Sequence, residues 1–393
     1  MKTRGLCRNG TNFSQAGASC VWGWEIRGGA CGQTILIPPK SNVTGVISGG
    51  DEIVEGDIAD VSVDELPRQA VMAWASFPCQ DLSLAGWRRG LDADRSGAYW
   101  PFWRLMRNLH DEGKRPPLIV LENVLGLLGA GFEGLCDSLA ALDMQYGALV
   151  VDAKHFVPQS RPRVFVVAAD ARLDLTGVCT GGPTPGTWFP PSVIRAKRAL
   201  TGVAASLWRW WRLPHPEMEP EPAETLLEAV DAVEWDDTRR TEEFVGRMAP
   251  LHQSKLDQLS RSDRTAGFAY QRTRDGVLRA ELRIDGLAGC LRTPSGGSSR
   301  QIVVSTHGDS VHTRLITARE TSRLMGVPDT YALPDSYTEA YHVMGDGVAV
   351  PVVSWLSDQL LTPISGAWEA QRGALGRFEP PDPPPQEKQL FFL

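Results

Sequence analysis

The sequence predicts a doubly wound, parallel α/β sheet interrupted by a smaller inserted domain. Three observations carry that expectation. From about Glu55 to Ala169, short β-type apolar runs alternate with helical patterns, which argues for parallel strands joined by crossover helices. From Leu173 to Val311 the alternation stops, and Pro, Gly and Trp punctuate the chain. Helix and strand signals then resume at Thr317–Leu324 and Val348–Leu361.

Ala70–Ser76 reads as a strand that runs into a Pro-Cys-Gln loop. Tyr99–Glu112 reads as an amphipathic helix, because Phe102, Leu105, Met106 and Leu109 recur at helical spacing. Leu118–Leu121 is a short buried strand, Gly134–Leu142 a helix and Ala148–Ala153 a strand. Val164–Ala169 is a further strand, entered through residues 158–163. In the interruption, Trp208, Trp210 and Trp211 crowd together and Ala280–Ile284 alternates like a hairpin strand. The expected division is 1–172 for the first part of the main domain, 173–311 for the insert, 312–365 for the closing part and 366–393 for a Pro-rich tail.

At 393 residues the chain can bury a full α/β core and one smaller domain. Its hydrophobic content of 42% describes a soluble globular protein. No stretch approaches the roughly 18 apolar residues of a membrane span, and no signal pattern opens the chain. Seven cysteines lie scattered without paired spacing, so neither a disulfide framework nor a metal cluster is expected, and a reduced cytoplasmic setting fits. The net charge of −7 gives no support to a nucleic-acid partner. Arginines nevertheless gather locally, at Arg239 and Arg240 and again at Arg272, Arg274, Arg279 and Arg283.

Two motifs stand at strand ends: Ser76-Phe77-Pro78-Cys79-Gln80-Asp81, and Leu121-Glu122-Asn123-Val124 about forty residues later. Taken alone, a cysteine near a strand is more often a small buried hydrophobe. Further stretches follow in order. They are Gln159-Ser160-Arg161-Pro162-Arg163, the run from Arg314 through Thr317 and Glu320 to Asp329, and Met344-Gly345-Asp346-Gly347-Val348. Singly, each has a plain reading: a solvated loop, a helix with a capping box, a turn. In this order, they make coincidence remote.

Together these motifs resemble the DNA cytosine-5 methyltransferases, over most of residues 51–361. The resemblance implies a Rossmann-like S-adenosylmethionine methyltransferase sheet with an inserted target-recognition domain. It implies Cys79 as the nucleophile at cytosine C6, Glu122 at N3, and Arg161 and Arg163 orienting the carboxylate and the flipped base. Asp57 and Ile58, in an acidic turn, would meet the adenine of S-adenosylmethionine. Pro78, Tyr99, Asp346 and Val348 would line the rest of that pocket, although Asp346 stands where the family has Asn. The partner implied is double-stranded DNA, with a cognate restriction endonuclease where the enzyme belongs to a restriction–modification or phage-like system. The insert would read sequence in the major groove, with residues 289–301 as a backbone-contacting loop.

The start of the chain departs from the family. Residues 1–48 lack the Gly-rich loop through which backbone approaches the cofactor. One reading is a degenerate motif, with Glu25 as the ribose ligand. Another is a translated frameshift restored near Gly49, since the shifted codons permit a glycine loop and an Asp-ended strand. Three functional readings follow: a working enzyme, a DNA-binding relic with a damaged cofactor loop, and an RNA cytosine methyltransferase, against which the long insert argues. The terminal Gln389-Leu390-Phe391-Phe392-Leu393 resembles sliding-clamp docking peptides, and a tail folded back on the main domain is the plainer expectation.

Overall fold

A computed structural model describes residues 33–37, 46–47, 53–54, 58–66, 70–77, 99–129, 131–184, 186, 188–217, 219–292, 300–308 and 310–376. Among them the chain forms two compact units. One comprises residues within Trp24–Val151, Arg163–His215 and Leu356–Leu393; the other lies within Asp152–Pro162 and Pro216–Trp355.

The first unit is built on a sheet. Its strands are β1 (Gln33–Ile37), β2 (Val46–Ile47), β3 (Ile53–Val54), β4 (Ala70–Ser76), β5 (Leu118–Asn123), β6 (Met144–Asp152) and β7 (Pro162–Asp170), in the order β3-β2-β1-β4-β5-β7-β6. The strands β1, β4 and β5 run parallel, and β4 and β5 are buried along their whole length. That burial explains their near-continuous apolar runs. Helix α1 (Tyr99–Asp111) buries Phe102, Leu105, Met106 and Leu109, the face read from the spacing. Helix α2 (Phe132–Ala140) carries the chain from β5 toward β6.

The sheet is mixed rather than wholly parallel, because β7 runs against β5. A parallel crossover needs about a dozen residues or more, usually a helix. Only residues 153–161, with one short 3-10 turn, join β6 to its neighbour β7.

The Trp-rich stretch lies in the sheet unit, which takes in residues 163–215. Here β8 (Cys179–Thr180) and β9 (Trp210–Trp211) pair, with α3 (Pro191–Ala199) and α4 (Gly202–Ser206) between them. Tyr146 N donates to Leu207 O at 2.9 Å, and Arg209 N donates to Tyr146 O at 2.7 Å. Trp211 donates Nε1–H to Gly147 O at 3.1 Å. A Cβ on Gly147 would collide with the Arg209 carbonyl, so the close approach requires glycine there.

The second unit contains α5 (Thr238–Gly246), α6 (Pro250–Ser260) and an antiparallel sheet. That sheet comprises β10 (Ala266–Arg274), β11 (Val277–Arg283), β12 (Ile302–His307) and β13 (Ser310–Leu315), in the order β11-β10-β12-β13. One sheet face supplies Ala269, Ala280, Leu282 and Val304 to a core with Phe244, Met248, Leu256 and Leu259. Asp275 and Gly276 both take positive φ, at 50° and 75°. This is the Asp-Gly turn that matches the twist of a two-residue hairpin. The same unit holds α7 (Ala318–Leu324) and α8 (Tyr337–Asp346). Helix α9 (Val350–Leu356) follows, and α10 (Thr362–Gln371) belongs to the sheet unit.

Candidate active site

The sheet unit assembles one group of motif residues at the carboxyl ends of two parallel strands. Ser76 of β4 lies opposite Glu122 of β5. The carboxyl edge of parallel strands is where open α/β sheets receive ligands. Asn123 donates Nδ2–H to Phe77 O at 2.8 Å, and its Oδ1 accepts from Val124 N at 2.8 Å. One side chain therefore ties the end of β5 to the residue just before Pro78-Cys79.

The strand register explains the neighbouring charge pair. Glu122 faces Phe165 across the antiparallel β5–β7 pair. Arg163, two residues away, is its diagonal neighbour on the same sheet face, within reach of a long side chain. Arg163 Nε lies 3.2 Å from Glu122 Oε1, and the two side chains are 15% and 8% exposed. The pair fixes the orientation of a nearly buried carboxylate.

Tyr99 opens α1 with its ring 5.5 Å from that of Phe77. Burial raises its hydroxyl pKa well above the usual phenol range, outweighing a hydrogen bond with Ser138. Ile58 is buried in a 3-10 turn over Ile58–Asp60. Cys79, Pro78, Asp57 and Glu25 lie outside the described residues, as do the tail after residue 376 and residues 293–299 of the expected backbone-contacting loop.

The second unit gathers the other half of the Gln-x-Arg-x-Arg element. Gln159 is fully buried. It donates Nε2–H to Leu324 O at 2.9 Å, and its Oε1 accepts from Leu291 N at 3.0 Å. Arg161 donates Nη1–H to Leu291 O, and Nη2–H to Gly345 O and Gly347 O, all at 2.7 Å. Its own amide donates to Asp152 Oδ1 at 2.7 Å. Asp346 thus lies within the Gly345–Gly347 turn that Arg161 holds, and Val348 is buried just beyond it. The two arginines therefore divide their work: Arg163 meets the carboxylate, while Arg161 grips main-chain carbonyls.

Sequence reasoning missed the anchoring roles of Asn123 and Gln159. It also missed a buried pair below the expected capping box. Thr317 and Glu320 form that box, and Glu320 additionally takes two hydrogen bonds from Arg314, at 2.7 and 2.8 Å. The signal for Gln159 was present, since residues 159, 161 and 163 alternate at strand period.

Comparison with known proteins places these motifs in a family. The profile described as C-5 cytosine-specific DNA methylase matches residues 11–362. The chain is 24% identical to the type II methyltransferase M1.ScrFI of Lactococcus lactis subsp. cremoris, over 79% of this chain and 67% of that protein. It is likewise 24% identical to M.MspI of Moraxella sp, over 86% and 66%, and 25% identical to M.HpaII of Haemophilus parainfluenzae, over 80% of each. Two parallel strands ending in Ser76 and Asn123, with Arg163 braced on the Glu122 carboxylate, thus sit within a match covering most of the chain, which belongs to the C-5 cytosine-specific DNA methylases, enzymes that use S-adenosylmethionine as methyl donor.

Proposed function

We propose that this chain methylates C5 of a cytosine rotated out of duplex DNA, with Cys79 as nucleophile and Glu122 as the group that engages N3. The observation that supports it most is the braced carboxylate of Glu122, beside the backbone tie that leads into Pro78-Cys79. C6 is stacked inside DNA, so the base must leave the duplex to be attacked. The Cys79 thiolate adds to C6 and displaces the C5–C6 π pair toward C5 and the ring. Glu122 engages N3, holding or protonating it as that charge develops, and any proton given is recovered later. S-adenosylmethionine, when bound, would supply an electrophilic methyl for the activated C5, its sulfur keeping the bonding pair as a neutral thioether. A base then removes the C5 proton, and the electron pair left behind expels Cys79 as thiolate.

Arg163 acts through Glu122. Arg161 acts through the Gly345–Gly347 turn and is a positioning residue. Ile58 and Tyr99 are buried, largely apolar residues suited to an adenosyl group, and we assign cofactor contacts to them; the family resemblance alone extends that role to Asp57, Pro78, Asp346 and Val348. The ribose would fall to Glu25 in the chain as it stands. The inserted region, residues 216–311 in this reading, selects the DNA sequence. A type II restriction–modification setting accords with the relatives named above.

The test is Cys79→Ser, assayed for methyl transfer to duplex DNA and separately for DNA binding. Transfer should disappear while binding persists, because an alcohol is a far weaker nucleophile than a thiolate at neutral pH. Near-normal turnover in the serine variant would refute the covalent route.

A further inference from the structure

The hairpin of β10 and β11 outgrows its sheet. Strand β12 pairs with β10 only over Ala266–Ala269, whereas β10 and β11 stay paired from Phe268–Arg283 out to Arg274–Val277. From Tyr270 and Glu281 outward β10 pairs with β11 alone, although Ala280 N still donates to Arg247 O at 3.1 Å; from Arg272 and Arg279 outward the hairpin is a two-stranded ribbon. Five residue steps at about 3.3 Å each carry its tip roughly 17 Å beyond the four-stranded region.

Register sorts its side chains. Ala280 and Leu282 lie on the face that packs into the core. The opposite face carries Tyr270, Arg272 and Arg274 on one strand, paired with Glu281, Arg279 and Val277 on the other. Three arginines thus share that face with a single carboxylate, on a chain whose net charge is −7. Glu281 engages two of them, Arg272 Nη2 and Arg274 Nε, each at 2.7 Å, and accepts a hydrogen bond from Tyr270 at 2.7 Å. Arg279 is exposed and has no ion-pair partner among the described residues. It stands directly across from Arg272, an arrangement of like charges that costs stability. Val277 beside it is 46% exposed.

A rigid two-stranded ribbon with an unneutralised arginine fits one partner chemistry well. The major groove of B-DNA, about 12 Å wide and 8.5 Å deep, admits such a ribbon, and arginine reads guanine there through O6 and N7. We propose that the ribbon tip Arg272–Arg279 enters the major groove and that Arg279 reads a guanine of the target site. Arg272 and Arg274, locked by Glu281, hold the ribbon in register. This rests on the DNA-methylating reading above and adds a specificity-determining residue to it.

Binding selection on a randomised duplex pool tests the assignment without requiring turnover. The full chain and its Arg279→Lys and Arg279→Ala variants are compared by sequencing the bound fraction. Circular dichroism confirms that each is folded. The wild type should enrich a motif containing guanine. Lysine keeps the charge but lacks the planar fork, so Arg279→Lys should bind bulk duplex within about threefold of wild type. It should lose about 5- to 150-fold of discrimination at one base pair, the worth of a bidentate contact. Arg279→Ala should lose the same preference. If Arg279→Lys keeps the wild-type motif, the inference is overturned. The same follows if Arg279→Ala weakens all sequences equally while lowering the salt slope by about one, the mark of a phosphate contact. A wild-type chain that enriches no motif refutes the DNA reading itself, and this inference with it.

Discussion

Arg161→Met tests whether the first arginine of the Gln-x-Arg-x-Arg element positions the fold or touches substrate. The guanidinium makes three hydrogen bonds to Leu291 O, Gly345 O and Gly347 O, each at 2.7 Å, on a residue 2% exposed. Charge-assisted hydrogen bonds contribute about 1.5–3 kcal/mol each. Simple addition would overshoot, because the carbonyls regain water when the turn loosens and methionine returns some apolar contact. A loss of about 4 kcal/mol is the reasoned figure, within the 3–5 kcal/mol of breaking a buried charged network. This corresponds to roughly a thousandfold in the folded ratio of that unit. Denaturant midpoints measure the change, and hydrogen exchange at residues 345–353 localises it. Arg161→Lys should fall between wild type and methionine, since an ammonium cannot span three fixed carbonyls as a planar fork does. Unchanged stability and exchange, combined with lost methyl transfer, would refute the reasoning and move Arg161 into contact with the base.

Glu122→Gln should lower turnover by about a hundredfold or more with DNA binding retained, as for comparable acid–base groups; unchanged turnover with weakened binding would make the carboxylate structural. The ribbon network should resist acid. Burial alone would raise the Glu281 carboxyl, but hydrogen bonds from Arg274 and Tyr270 and the nearby arginine charges hold it at about 2. A depressed folded pKa means that its stabilisation is complete above the unfolded value of about 4.3. It drains as pH falls through about 2. Thermal melts between pH 5 and 2 should therefore converge for wild type and Glu281→Gln only at the acid end. Calorimetry with S-adenosylmethionine should show measurable binding by the chain as written and tighter binding by one carrying the shifted reading through codons 10–49. Equal affinity would favour a degenerate working motif with Glu25.

Period and motif made much of the sheet legible. Ala70–Ser76 and Leu118–Leu121 are strands because their apolar runs are buried on both faces, and the α1 face appeared at helical spacing. The direction of β7 was harder to see, since a short connection reverses a strand without altering its hydrophobic pattern. Glu122 and Arg163 could be named from their motifs, but their contact depends on a diagonal register set by the β5–β7 pairing. The role of Arg161 was hidden for a similar reason. Its partners are main-chain carbonyls of Leu291, Gly345 and Gly347, far away in sequence and anonymous in composition.

The tryptophan wall against β6 bears on where the proposed recognition insert can be exchanged between relatives. A graft cut at Leu173, or even near residue 190, would carry away Trp208 and Trp211, which are 6% and 0% exposed in the sheet unit. Losing a buried tryptophan costs about 3–5 kcal/mol, and the donor's replacement would have to meet Tyr146 and the bare backbone of Gly147. A splice placed after His215 leaves that wall with the host. Chimeras built on the later boundary should inherit a new target site on an intact scaffold, whereas the earlier cut would confuse lost folding with changed specificity.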